Sequence, residues 1–248
     1  MDIIYILWLR QIKRYWRSKS RIFGSIGQPI LFLVAFGFGM GSMFSKAGGG
    51  NYINFLAPGI IGQAIIFMAI FNGVELIWDR QFGFLKETLV APVSRFKIII
   101  GRTLGGATIA TIQGIIVLLL TLIIGFKPKN LTLLPLVIFI MFLISLLYTS
   151  LGTAIACKLK DFHGFQLIMN FLVMPSFFLS GALFPIDQAP KLMKSIVLIN
   201  PLTYGVDAMR QILSGLAGFS LKTDILVLTL VTIILLLICT RFFSKIQA

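Results

Sequence analysis

The side chains that could carry covalent or proton chemistry in this 248-residue chain are few and far apart. The one histidine, His163, stands near Asp161, and the most suggestive serine, Ser180 before Gly181, follows 17 residues later. Along a helix that separation is about 25 Å, so the two cannot form the serine–histidine contact a hydrolase needs. Cys157 and Cys239 each close an apolar stretch. They offer neither a disulfide framework nor a thiolate metal site, and they fit two small apolar side chains. No Gly-Lys pair occurs, so the phosphate-cradling loop that ends in Lys and Ser or Thr is absent and the chain has no ATPase site of that kind. Glu75 is the only acid inside an apolar run. Such a group costs about 3 kcal/mol or more near a membrane midplane and is a functional candidate by default. It lies near the end of its run, one turn before Asp79, where the carboxylate could also reach the interface or pair with Arg80 or Arg102. An ion-coupled secondary transporter using Glu75 is therefore the competing functional reading.

The elements that must hold these groups are set by composition. The chain is 58% hydrophobic and 12% charged, against about 25% charged in a soluble domain, which excludes a water-soluble single core. A membrane-crossing helix needs about 20 apolar residues, because an unpaired backbone polar group in lipid costs several kcal/mol. Five charge-free runs, 22–45, 55–74, 103–126, 131–157 and 164–186, and a shorter sixth, 225–240, predict six spans, at 22–45, 55–78, 99–126, 131–157, 164–186 and 222–240. The fold class expected is an all-α integral membrane protein, a single domain over 1–248.

The net charge of +14 would suggest nucleic acid in a soluble chain. Allotted to the ends of these spans, 15 Lys and Arg fall on one side and seven on the other. Short cytoplasmic loops retain such residues, so the basic side is cytoplasmic and both termini face inward. Lys86 is then inside, Lys46 and Lys191 outside, and a nucleic-acid partner is not called for. The basic N-terminal stretch is long and the apolar run after it exceeds a signal core, so it reads as uncleaved.

Three segments are not spans. Residues 1–21 make a two-faced helix, with Ile4, Leu7, Trp8, Ile12, Tyr15 and Trp16 on one side and Arg10, Lys13, Arg14, Arg17 and Arg21 on the other. Such a helix lies in the interface, where membrane lipids take its aromatic and cationic faces. Alternatively, it is a basic flank that only fixes topology. Residues 79–97 contain a short amphipathic helix on Phe82, Leu85 and Leu89, capped by Asp79 and stopped by Pro92; the bilayer surface or a second protein must cover its apolar face. Residues 187–220 include a 12-residue apolar run, too short to cross and broken at Pro201. That run is either a re-entrant piece at the outer end or a surface loop with a helical turn. Gly37, Gly39, Gly41, Gly101, Gly105 and Gly152 lie within or beside spans, where small residues let helix backbones approach.

Three stretches together resemble the membrane subunit of type 2 ABC transporters, mostly exporters: ELIWDRQFGFLKETLVAPVSRFKIIIGRTL from Glu75 to Leu104, PSFFLSGALFPID from Pro175 to Asp187, and NPLTYGVDAMRQIL from Asn200 to Leu213. The resemblance implies a permease of an ATP-driven exporter of drugs, lipids or lipid-linked glycans in the cytoplasmic membrane. It implies a dimer with a second copy or a related permease, and a separate ABC ATPase subunit that binds ATP and Mg, this chain holding no cofactor. By the same resemblance residues 80–90 are the coupling helix, with Arg80, Phe82, Leu85, Leu89 and Pro92 meeting the ATPase, and Asn200, Pro201 and Tyr204 belong to outer re-entrant helices that gate exit.

Overall fold

The computed structural model describes residues 3–41, 51–159, 161–185 and 190–246, and the described residues form helices and turns with no strand. Ten helical segments follow in chain order: α1 (Ile3–Arg17), α2 (Lys19–Gly39), α3 (Tyr52–Gln81), α4 (Phe84–Val90), α5 (Arg95–Ile124), α6 (Leu134–Lys158), α7 (Phe162–Phe178), α8 (Lys191–Ile199), α9 (Pro201–Ser214) and α10 (Leu221–Ser244). Five of them, α2, α3, α5, α6 and α10, are long and apolar enough to cross a membrane. Each coincides with an expected run. Lys46 and Lys160, and the ends of the first and fifth expected runs, lie outside the described residues.

The fifth run departs from expectation. Instead of an uninterrupted helix over 164–186, α7 ends at Phe178 and contains a π-helical turn, Met169–Val173. Its 17 residues measure about 25 Å, short of a hydrocarbon core of about 30 Å. The chain beyond Phe178 turns instead, because donors from elsewhere satisfy its carbonyls. Asn200 Nδ2 donates to Ser176 O at 2.5 Å and Leu179 O at 3.2 Å, and Arg210 Nη2 donates to Gly181 O at 3.0 Å and Ala182 O at 3.3 Å. An unsatisfied helix end is thereby paired inside the protein.

Helix α3 is the axis of the bundle. It is buried on nearly every side, packing against α6, α5, α2 and α9. Small residues permit this closeness. A Cβ added to Gly73 would lie 2.5 Å from Gly152 O, and one on Gly152 would lie 2.8 Å from Ile70 Cα, so α3 and α6 touch backbone to backbone. Gly37 meets Ile53, whereas an added Cβ at Gly39 or Gly41 meets nothing within 4 Å, and these two take no part in close packing.

Two ends of the bundle can be told apart. One gathers Arg10, Arg14, Asp79, Arg102 and the C-terminal carbonyls of α6 and α10. The other gathers the start of α3, the α5–α6 turn and the end of α9, where Lys129 N donates to Leu213 O at 2.8 Å and Ser214 Oγ to Asn54 O at 2.6 Å.

Gly73→Ala forces a Cβ into the α6 backbone and is expected to cost about 2 kcal/mol, as overpacked cores do. Gly24→Ala, where a Cβ meets nothing, is expected to cost nothing. Thermal unfolding of the two variants in detergent checks the difference; equal midpoints would contradict the backbone contact.

Candidate functional site

Among the described residues, three of the six buried charged side chains, Glu75, Asp79 and Arg102, converge on the basic end of α3. Glu75 and Asp79 are one turn apart, both 2% exposed, with Asn72 on the preceding turn. Arg102 of α5 donates to Asp79 Oδ2 at 2.5 Å, and Arg14 of α1 donates to Asp79 Oδ1 at 3.1 Å, with Arg10 at 3.9 Å. Arg21 of α2 divides its guanidinium between Glu75 Oε1 and Asn72 Oδ1, each at 2.5 Å, and Arg14 lies 3.9 Å from Glu75 Oε2. Asn72 Nδ2 then donates to Gly106 O of α5 at 2.9 Å. Two carboxylates of one helix thus bind cations from three others. Of the partners expected for Glu75, neither is used. Arg102 takes Asp79, and Arg80 donates to Leu159 O at 2.8 Å and Cys157 O at 3.1 Å, closing the end of α6.

The seating of α1 explains how its arginines reach these acids. Leu7, Gln11 and Tyr15, at four-residue spacing, are buried against α5. Gly101 and Gly105 open the groove: Cβ atoms there would lie 2.9 Å from Ile4 O and 2.7 Å from Gln11 Cβ. Trp8 Nε1 donates to Thr108 Oγ1 at 3.0 Å and the Tyr15 hydroxyl to Gln113 Oε1 at 3.2 Å. Burial pushes the Tyr15 phenol up, so it stays a donor. The face expected to lie in lipid is therefore covered by protein over much of its area, and Trp16 stays exposed. Arg10 and Arg14 of the cationic stripe turn to Asp79.

Between α3 and α5 the chain makes a hairpin at the same end. Gly83, with φ of 81°, sits in the left-handed region and breaks the helix after Gln81, so α4 has seven residues rather than the expected span of 80–90. Asp79 does not cap it. Leu85 is 2% exposed and packs into the core, and Leu89 is half-buried against it. The exposed apolar side chains are Phe82, Phe84 and Val90, at 72%, 48% and 83%. Pro92 is exposed in the turn that follows, before Ser94 caps α5 by accepting from Lys97 N at 3.4 Å. Arg95 ties this turn to α10, donating to Ser244 O at 2.6 Å and Ile246 O at 2.8 Å. Of the expected residues, Phe82 and Pro92 are presented outward, Leu85 and Leu89 hold the hairpin to the bundle, and Arg80 belongs to the α6 terminus. Phe84 and Val90 were missed by the helical-face argument; the Gly in QFGF was the signal that the phase resets there.

At the opposite end, Asn200 caps α9 by accepting from Leu202 N at 3.1 Å while holding the end of α7, and Pro201 occupies the first turn. The Tyr204 hydroxyl donates to Leu198 O at 2.8 Å, and its ring lies 5.5 Å from that of Phe219. Helix α9 is buried along most of its length between α3, α6 and α10. Arg210, counted from sequence as an outer loop cation, is 5% exposed, with its guanidinium 3.9 Å over the Phe55 ring. His163 is exposed and Ser180 Oγ donates to Phe177 O at 2.7 Å, so no serine–histidine pair forms.

A family model described as ABC-2 type transporter matches residues 3–214. The ycf38 protein of Cyanophora paradoxa is 29% identical over 218 residues, covering 85% of this chain and 74% of that protein. Nodulation protein J of Rhizobium leguminosarum bv. viciae is 26% identical over 200 residues, 80% and 76% of the two chains. The inner membrane transport permease YadH of Escherichia coli (strain K12) is 26% identical over 241 residues, 96% and 93% of the two chains.

Removing one member of a buried ion pair strands the other charge, at a cost of about 3–5 kcal/mol. Asp79→Leu and Arg102→Leu are each expected to destabilise by about that much, and the double variant by much less than the sum. Chemical unfolding of the three variants in detergent checks this; additive losses would contradict a direct pair.

Proposed function

Because this chain belongs to the ABC-2 type transporter family, we propose that its transport is export driven by ATP, with the chain as the membrane subunit and a separate ATP-hydrolysing subunit docking on the hairpin around α4. The observation that carries the reading is the exposed apolar triad of Phe82, in the turn after α3, and Phe84 and Val90 on α4, a helix held by Leu85 and flanked by two helices of 30 residues. Three large apolar groups at a charged end, next to Lys86 and Glu87, make a surface suited to a protein groove. ATP and Mg bind in that partner.

The chemistry of coupling is mechanical. Helix α4 is joined at one end to α3 and at the other to α5, and the Asp79–Arg102 pair locks those two helices together beside the joint. Force on α4 is delivered to α3 as a rigid body, because packed helices shift between discrete arrangements rather than bending. The far end of α3 bears Phe55, whose carbonyl accepts from Arg210 Nε at 3.3 Å, so the displacement reaches α9 and the turn after α7. Asn200, Pro201 and Tyr204 are the outer gate in this reading.

A second copy, or a related permease, covers the faces of α2 and α7 that this chain leaves open. Phe23, Leu31 and Phe38 are exposed on α2, and His163, Gln166 and Asn170 form an exposed polar line on α7. Polar groups such as these are costly against lipid and suit a passage between two protomers. The end rich in Arg and Lys faces the cytoplasm, by the retention of cations in short inner loops, with both termini on that side. The cargo is an amphipathic or hydrophobic molecule.

The test is co-purification of ATP hydrolysis with the tagged chain from its own membranes. The Phe82→Asp/Phe84→Asp double variant is expected to insert normally and to lose at least tenfold of the co-eluting ATPase activity. Undiminished activity would remove the docking role. Leu85→Asp, by contrast, is expected to lower the yield of folded chain, since it buries a charge in the core.

A further inference from the structure

A cavity of about 350 Å³ lies between α2, α3 and the π turn of α7, walled by Pro29, Phe67, Met68 and Phe71, with Arg21, Gly24 and Gln63 among its lining. Its size is that of a small-molecule site. Its polar groups are unusual for a bundle interior. Gln63 is 1% exposed, and neither its Nε2 nor its Oε1 has a hydrogen-bond partner among the described residues. Arg21 Nε is likewise buried without a partner. A buried amide left unpaired is destabilising, and a group from outside the fold that met both of its atoms would recover that loss.

The charge state of the site narrows what that partner is. Among the described residues Arg21 is the only charged side chain lining the cavity, and its terminal nitrogens are already committed: Nη1 to Glu75, Nη2 to Asn72 and, at 3.5 Å, to Met68 Sδ. Its positive charge is balanced at contact distance by a carboxylate. Ser25 Oγ, also in the lining, is committed to Ile22 O and Gln113 Oε1, and Gln28 adds a second amide to the wall. The buried groups left unpaired toward an incoming molecule are one N–H of Arg21, the NH2 of Gln63 and the acceptor oxygen of Gln63. A phosphate or carboxylate offers only acceptors and would leave Gln63 Oε1 unmet. An ammonium offers only donors and meets a guanidinium. A hydroxyl or an amide supplies both kinds at once.

We propose that this cavity binds the uncharged, hydrogen-bonding headgroup of an amphiphile, a polyhydroxyl or amide group, with Gln63 as the residue that selects it and the aromatic and methionine wall receiving the adjoining chain. The assignment deepens the transporter reading by naming the class of cargo, and it rests on that reading only for the step after binding.

The test uses the full chain in phosphatidylcholine nanodiscs without any ATPase subunit. Three fluorescent dodecyl amphiphiles are compared, identical except for an N-methylglucamide, a phosphate or a trimethylammonium head. The wild-type chain is expected to bind the glucamide probe at least tenfold more tightly than the other two. Gln63→Leu removes two orphaned atoms with little change of volume and is expected to fold at least as well, while its affinity for the glucamide probe falls about tenfold and its affinity for the other probes does not change. Gly24→Leu fills the cavity from a position where an added Cβ meets nothing within 4 Å, and it is expected to abolish glucamide binding with unchanged thermal stability. Tighter binding of the phosphate probe would overturn the proposal. So would glucamide affinity that survives Gln63→Leu, which would mean that water satisfies the amide, or that survives Gly24→Leu, which would place the site elsewhere. Since no nucleotide or partner is present, selective binding by a chain that docks no ATPase would sink the energy source and leave this assignment standing.

Discussion

Glu75 and Asp79 sit one turn apart on the most deeply buried helix of an apolar bundle, where an unpartnered carboxylate is strongly destabilising. Their neutralisation takes guanidinium groups from α1, α2 and α5, so three helices are pinned at fixed height and rotation around the fourth. Apolar packing in lipid cannot set such a register by itself, since a helix loses little by sliding among neighbours as oily as the tails around it. Small residues bring the backbones close, at Gly73 with Gly152 and at Gly101 with α1, and the ion pairs decide where along the axis they stop. The same network places a rigid block directly behind the hairpin that α4 forms.

That placement connects the chemistry of the basic end with events at the other. A hairpin resting on loosely packed helices would absorb a push as local strain. Resting on helices cross-linked by charge, the proposed docking hairpin would pass the push along about 45 Å of α3. At the far end Arg210 makes the corresponding join, binding the start of α3 and the non-helical chain after α7 through three carbonyls. Asn200, proposed for the outer gate, holds the neighbouring carbonyls of Ser176 and Leu179, and the cavity lined by Gln63 lies on α3 between the two ends.

The six apolar regions, the helical class and the gathering of cations at one end were legible because they depend on composition over 20 residues at a time. The pairing of Gly101 with Gly105 was legible as a close approach, though not the identity of the helix that approaches. What sequence could not give is anything decided by a distant partner. The end of α7 looked like continued apolar helix until Asn200 and Arg210 are seen to take its carbonyls. The aromatic face of α1 looked lipid-facing because nothing in residues 1–21 reveals the groove on α5. Glu75 looked ready to pair with Arg80 or Arg102, its near neighbours in the chain, while the guanidinium that reaches it, Arg21, lies 54 residues earlier. Leu85 and Phe82 shared a face only for an unbroken helix, and one glycine with φ of 81° separated them.

If export is driven through α4, that helix and the charge-pinned helices behind it must move as one body. Spin labels at positions 13 on α1 and 86 on α4, both exposed, in a chain with Cys157 and Cys239 replaced, report the distance across that body in a complex with the proposed ATP-hydrolysing subunit. A single distance distribution, unchanged when ATP is added, is the expected result. A separation that shifts with ATP while the ion pairs are intact would mean that α4 swings on its own, and the account of coupling would fail.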